Sequence, residues 1–61
     1  MRTIFYLNEK KISKRKLEDM LGKERLKRML DEAKETFRED PLIQNSFFLG
    51  SNGTLTIEFD V

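Results

Sequence analysis

The chain has 61 residues, a net charge of +1, and no cysteine, histidine or tryptophan. This length fits one domain spanning residues 1–61, and the absence of cysteine excludes a disulfide scaffold. The commonest general base, transition-metal ligand and thiol nucleophile are also missing. We therefore expect a protein that is not an enzyme, with no catalytic, cofactor-binding or metal-binding residue.

Hydrophobic segments are short throughout the chain. No apolar run approaches the roughly 20 residues that a membrane span requires, and the first nine residues lack the apolar stretch of a secretory signal. The expectation is a cytoplasmic protein with no membrane partner. Nothing in the sequence indicates a small-molecule substrate.

The first predicted element is a strand at residues 2–7, which are rich in β-branched and aromatic types. It ends at the polar pair Asn8-Glu9, which is suited to turning the chain. Residues 10–12 are a possible second arm of a hairpin, although Ile12 alone supports it.

Two helices are predicted next. Ser13 is a suitable N-cap for a helix that runs to about Gly22. The apolar stripe of residues 17–21 and that of residues 26–37 lie on opposite sides of one continuous helix, at about 100° per residue. One core cannot bury both stripes, so Gly22 is expected to separate two helices. The second, at about residues 23–38, ends before Pro41.

The C-terminal region predicts a β-hairpin. Residues 54–61 alternate strictly, with Leu55, Ile57, Phe59 and Val61 on one face and polar residues on the other. The pair Asn52-Gly53, which tolerates positive φ, is predicted to form the turn after the strand-like residues 47–49.

These elements predict an α+β fold with a two-layer βααββ arrangement, in which two helices pack on one face of a small, mainly antiparallel sheet. If the first strand lies beside the last, the last strand becomes central and the strand order is 1-3-2.

Charge is distributed unevenly along the chain. Residues 10–28 hold nine lysines and arginines against three acids, whereas residues 31–60 hold seven acids against two bases. Basic side chains bind nucleic acid without regard to sequence by displacing its counterions, so nucleic acid is a possible partner. The alternative is that these charges only keep the domain soluble. The candidate binding residues are Lys10, Lys11, Lys14, Arg15, Lys16 and Lys23.

Aromatic residues suggest a second possible function. Phe47 and Phe48 are adjacent in a predicted strand, so they point to opposite faces of the sheet. One of them, with Tyr6, is a candidate for an apolar patch that binds another protein or a second copy of the chain. The alternative is that residues 42 and 43 of the preceding loop cover it.

Three segments of the sequence, FYLNEKKISK (5–14), KETFREDP (34–41) and LTIEF (55–59), resemble short uncharacterised proteins carried by conjugative transposons of Gram-positive bacteria. The resemblance spans most of the chain. It carries no chemical motif and implies no activity or site residue. It does imply a mobile-element accessory protein in a bacterial cytoplasm, with DNA or another element-encoded protein as a natural partner.

Overall fold

The computed structural model describes residues 2–60 and has two helices against a four-stranded antiparallel sheet. The elements in chain order are β1 (Arg2–Leu7), β2 (Lys10–Ile12), α1 (Lys14–Leu21), α2 (Lys23–Glu39), β3 (Asn45–Phe48), a short 3₁₀ turn (Gly50–Asn52) and β4 (Thr54–Asp60). The small α+β fold is confirmed. The order βααββ omits a strand, because residues 10–12 do form β2, giving ββααββ.

Strand β4 is one of the two inner strands of the sheet, whose strand order is β2-β1-β4-β3. It pairs with β1 through partners such as Phe5 and Ile57, and with β3 through partners such as Phe47 and Leu55. The predicted alternation holds, since Leu55 and Ile57 are buried while Thr54 and Glu58 are exposed. The predicted order 1-3-2 is thereby confirmed, with β2 added outside β1. Val61 lies outside the described residues.

The core joins one sheet face, here called the inner face, to both helices. Residues on this face point to the same side of the sheet as Phe5 and Ile57, and they pack with buried residues of α1 and α2. The ring centroids of Phe37 in α2 and Phe59 in β4 are 5.2 Å apart, which fixes the end of α2 over the sheet. The buried apolar residues are Phe5, Leu17, Leu26, Ala33, Leu49, Leu55 and Ile57.

Gly22 separates the two helices as predicted. Its φ of 87° lies where side chains are strained, and its N–H donates to the Glu18 carbonyl at 2.8 Å. Its own carbonyl accepts from Leu26 N–H at 3.2 Å. One residue thus ends α1 and begins α2, so the chain changes direction and both apolar stripes reach the same core.

The turn chemistry differs from the prediction for Asn52-Gly53. That hairpin closes through a longer loop in which Leu49 N–H donates to the Gly53 carbonyl at 2.7 Å, and positive φ occurs at Gly50 and Gly53 rather than at Asn52. The two-residue turn with positive φ at both positions lies in the other hairpin, at Asn8 (51°) and Glu9 (70°). The prediction was wrong because the 3₁₀ turn uses Asn52.

The Asn8 side chain links the two hairpin loops. Its Oδ1 accepts from Thr54 N–H at 3.0 Å, and its Nδ2 donates to the Asn52 carbonyl at 3.3 Å. A Cβ built on Gly53 would overlap this amide, and Gly53 has a φ of 97°. Only glycine therefore leaves room for the Asn8 bridge.

Gly53→Ala is expected to lower the free energy of unfolding by roughly 1–3 kcal/mol, because it adds backbone strain and displaces the Asn8 amide. Urea denaturation measures the loss. Gly50→Ala is the matched control. The φ of Gly50 is also positive (67°), but a Cβ built on Gly50 has no atom within 4 Å apart from its neighbours in the chain. An equal loss in both variants would contradict the role of the Asn8 bridge.

Glu9→Gly is expected to raise the free energy of unfolding by roughly 0.5–1 kcal/mol, since relief of the positive φ outweighs the added freedom of the unfolded chain. Glu9→Ala removes the same carboxylate but keeps the strained backbone, so it should give no such gain. Thermal or urea unfolding of both variants distinguishes the two effects. A gain from alanine equal to that from glycine would assign the effect to the lost carboxylate.

Candidate nucleic-acid interface

All six predicted basic residues are exposed, and they lie where the sheet meets the helices. Lys10 and Lys11 are on β2, three others form the first turn of α1, and Lys23 begins α2. Within residues 2–60 the ion pairs are Arg2 with Asp60 and Glu35 with Arg38, so none of the six is neutralised by a carboxylate within 4.0 Å.

Three of the six line one concave surface, here called the basic groove, between the β1–β2 hairpin and α1. Lys10, Lys11 and Lys16 are its basic lining residues. The remaining lining residues are Leu7, Asn8, Ile12, Ser13 and Met20. No carboxylate and no aromatic ring is among them, so the groove presents cations, amide and hydroxyl groups, and aliphatic surface.

Local structure determines where these lysines lie around the groove. In β2, Lys10 pairs with Leu7 and Lys11 with Tyr6, so the two lysines emerge on opposite faces of the sheet edge. Ser13 then caps α1, accepting from Lys16 N–H at 3.2 Å, which starts the helix directly after the strand. Lys16 and Met20 are four residues apart and lie on the same side of α1, facing β2.

A second basic surface lies on the other side of α1. Lys14 and Lys23 line a cleft between the helices together with Lys27, around Glu18. Arg15 lines neither surface. The six predicted residues therefore divide into two groups, because Lys14 and Lys16 flank the buried Leu17 on opposite sides of one helix.

The first turn of α1 has an unfavourable charge arrangement. It holds Lys14, Arg15 and Lys16 and no acidic residue. Cations at a helix N-terminus oppose the helix dipole and each cost typically about 0.3–1 kcal/mol. Within residues 2–60 no carboxylate lies within 4.0 Å of these cations, so an external anion would relieve the repulsion.

The aromatic candidates occupy different faces of the sheet. Phe47 points inward and packs against the core, so it is not part of an exposed patch. Phe48 points outward and is 80% exposed. Tyr6 is half-buried on the same outer face, but Thr54 and Thr56 of β4 lie between it and Phe48. A continuous apolar patch of Tyr6 and Phe48 is therefore not formed.

Sequence reasoning missed Asn8, Met20 and Lys27 as members of these surfaces. The sequence places Met20 in the apolar stripe of residues 17–21, whereas the structure leaves it 42% exposed. No three acidic side chains within residues 2–60 come together as metal ligands would. Across the same residues, no helix has the length and apolar character needed to cross a membrane.

The segments that resemble conjugative-transposon proteins fall on separate elements. The first covers the β1–β2 hairpin and the start of α1, the second the end of α2, and the third the middle of β4. They share no site. Comparisons of the chain with models of protein families, with curated proteins and with solved structures found no match, so the resemblance stays a prediction from the sequence.

Proposed function

We propose that this chain is a non-enzymatic accessory protein of a mobile genetic element that binds nucleic acid through the basic groove. The observation that carries the proposal is the groove itself, which is lined by Lys10, Lys11 and Lys16 and by no carboxylate. The resemblance of three segments to transposon proteins supports the cellular setting.

The groove favours contact with phosphates over contact with bases. Lysine ammonium groups supply point charges that bind phosphate without reading sequence. Single-stranded nucleic acid is usually held by aromatic rings on which bases stack, and no ring lines the groove. The expected ligand is therefore the backbone of a duplex.

The second basic surface extends the contact. Lys14, Lys23 and Lys27 lie on the side of α1 away from the groove. There they would contact a neighbouring stretch of the nucleic-acid backbone. The unopposed charges of the first turn of α1 add to the same argument, because bound phosphates would remove their repulsion with the helix dipole.

Lys16→Glu is expected to weaken binding to a generic duplex and to reduce the slope of log affinity against log salt by about 1. Fluorescence anisotropy of a labelled duplex at several salt concentrations measures both. Lys34→Glu is the matched control, since it makes the same charge change at an exposed position of α2 outside both basic surfaces. Wild-type protein that fails to bind even at low salt would overturn the proposal.

The same Lys16→Glu variant is expected to be more stable than the wild type by about 0.3–1 kcal/mol, because a carboxylate at the start of α1 interacts favourably with the helix dipole. Urea denaturation without nucleic acid measures this gain. Weaker binding combined with higher stability would separate lost phosphate contact from unfolding. A less stable Lys16→Glu protein would contradict the electrostatic account of this turn.

A further inference from the structure

The sheet has two open edges, β2 and β3, which differ in how well they can pair with another strand. On β4, the backbone of Thr54 faces β1, since its carbonyl accepts from Asn8 N–H at 2.9 Å. Leu49 N–H donates to the Gly53 carbonyl on the other side. In an antiparallel pair, successive residues of a strand alternate between bonding to the partner strand and pointing away from it. Asn45 and Phe47 therefore bond to β4, whereas Ser46 and Phe48 direct their N–H and C=O groups outward, away from β4.

The β2 edge is protected against pairing with another strand. Its three residues leave one outward-directed position, Lys11, because Lys10 and Ile12 pair with β1 across the tight turn. Short length and lysine side chains are the usual means by which natural sheets prevent edge-to-edge association. The β3 edge has four residues and carries no lysine, so the second form of protection is missing there.

The β3 edge is also free of charge. No charged residue occurs from Pro41 to Ile57, although 38% of the chain is charged. This uncharged segment exposes large apolar side chains: Leu42 is 94% exposed, Ile43 52% and Phe48 80%. Asp40 holds the preceding turn, since its Oδ1 accepts from Leu42 N–H at 3.1 Å, and this turn leaves Leu42 projecting.

We propose that β3 pairs with β3 of a second copy of this chain, antiparallel and across a two-fold axis at Ser46, to form a continuous eight-stranded sheet. In this register the outward groups of Ser46 meet those of Ser46 in the second copy. Those of Phe48 meet Gln44, the residue that precedes β3. Every outward backbone group from residue 44 to 48 then has a partner.

A second copy fits this edge better than a charged partner does. An antiparallel strand pair is self-complementary about a two-fold axis, and residues 41–57 bring no like charges together. Nucleic acid would find no cation here. The pairing also covers Phe48, and a chain of about 60 residues buries only about 60% of its unfolded surface on folding alone.

Dimerisation is independent of the proposed function. The basic groove lies at the β2 edge, and β1 and β4 separate that edge from β3. Loss of one property therefore leaves the other measurable.

Sedimentation equilibrium of the wild type across a wide concentration range is expected to show the mass doubling from monomer to dimer. Ser46→Lys places two lysines opposite each other at the axis, so this variant should stay monomeric over the range in which the wild type dimerises. Ser51→Lys is the matched control, because it makes the same change in the exposed 3₁₀ turn outside β3. It should dimerise like the wild type.

Amide hydrogen exchange gives a second measurement. With rising protein concentration, exchange of the Ser46 and Phe48 amides should slow, while that of the Lys11 amide at the β2 edge should not change. A wild type that stays monomeric throughout would overturn the proposal. So would a Ser46→Lys dimer as stable as the wild type, protection of Lys11 instead of Ser46, or open-ended assembly beyond the dimer.

Discussion

The burial of one face of β4 is the constraint on which the rest of the structure depends. Leu55 and Ile57 are almost fully buried between the flanking strands and the helices, and β4 pairs with β1 over residues 55–60 and with β3 over residues 54–57. A slip of one residue would turn its polar residues toward the core. The strand order β2-β1-β4-β3 places β2 and β3 at opposite edges of the sheet.

The two edges of the sheet carry different chemical groups. At the β2 edge, lysines of the hairpin and of α1 gather in the basic groove, and no carboxylate lines it. At the β3 edge the chain is uncharged, and Phe48 is exposed beside backbone groups without a strand partner. Phosphate binding at one edge and strand pairing at the other require different side chains, and the chain provides each at a separate place.

The basic groove borders positions at which local stability is reduced. Three cations oppose the dipole of α1, and Glu9 adopts a positive φ where glycine is preferred. The Asn8 bridge compensates nearby by bonding to Thr54 and Asn52, which ties the strained turn to the loop before β4. The hairpin that carries Lys10 and Lys11 is thereby held against the central strand.

The sequence by itself determined the elements whose signals are local: the alternation of β4, the cap at Ser13, the helix break at Gly22 and the stop before Pro41. Each depends on the side-chain period or on backbone preferences within a few residues. Only the tertiary structure decided which loop takes the two-residue turn, because Asn8 in that turn bonds to Thr54 and Asn52 of a loop distant in sequence. It also decided that the basic residues form two surfaces and that Phe47 rather than Phe48 enters the core, since both depend on which neighbours the fold supplies.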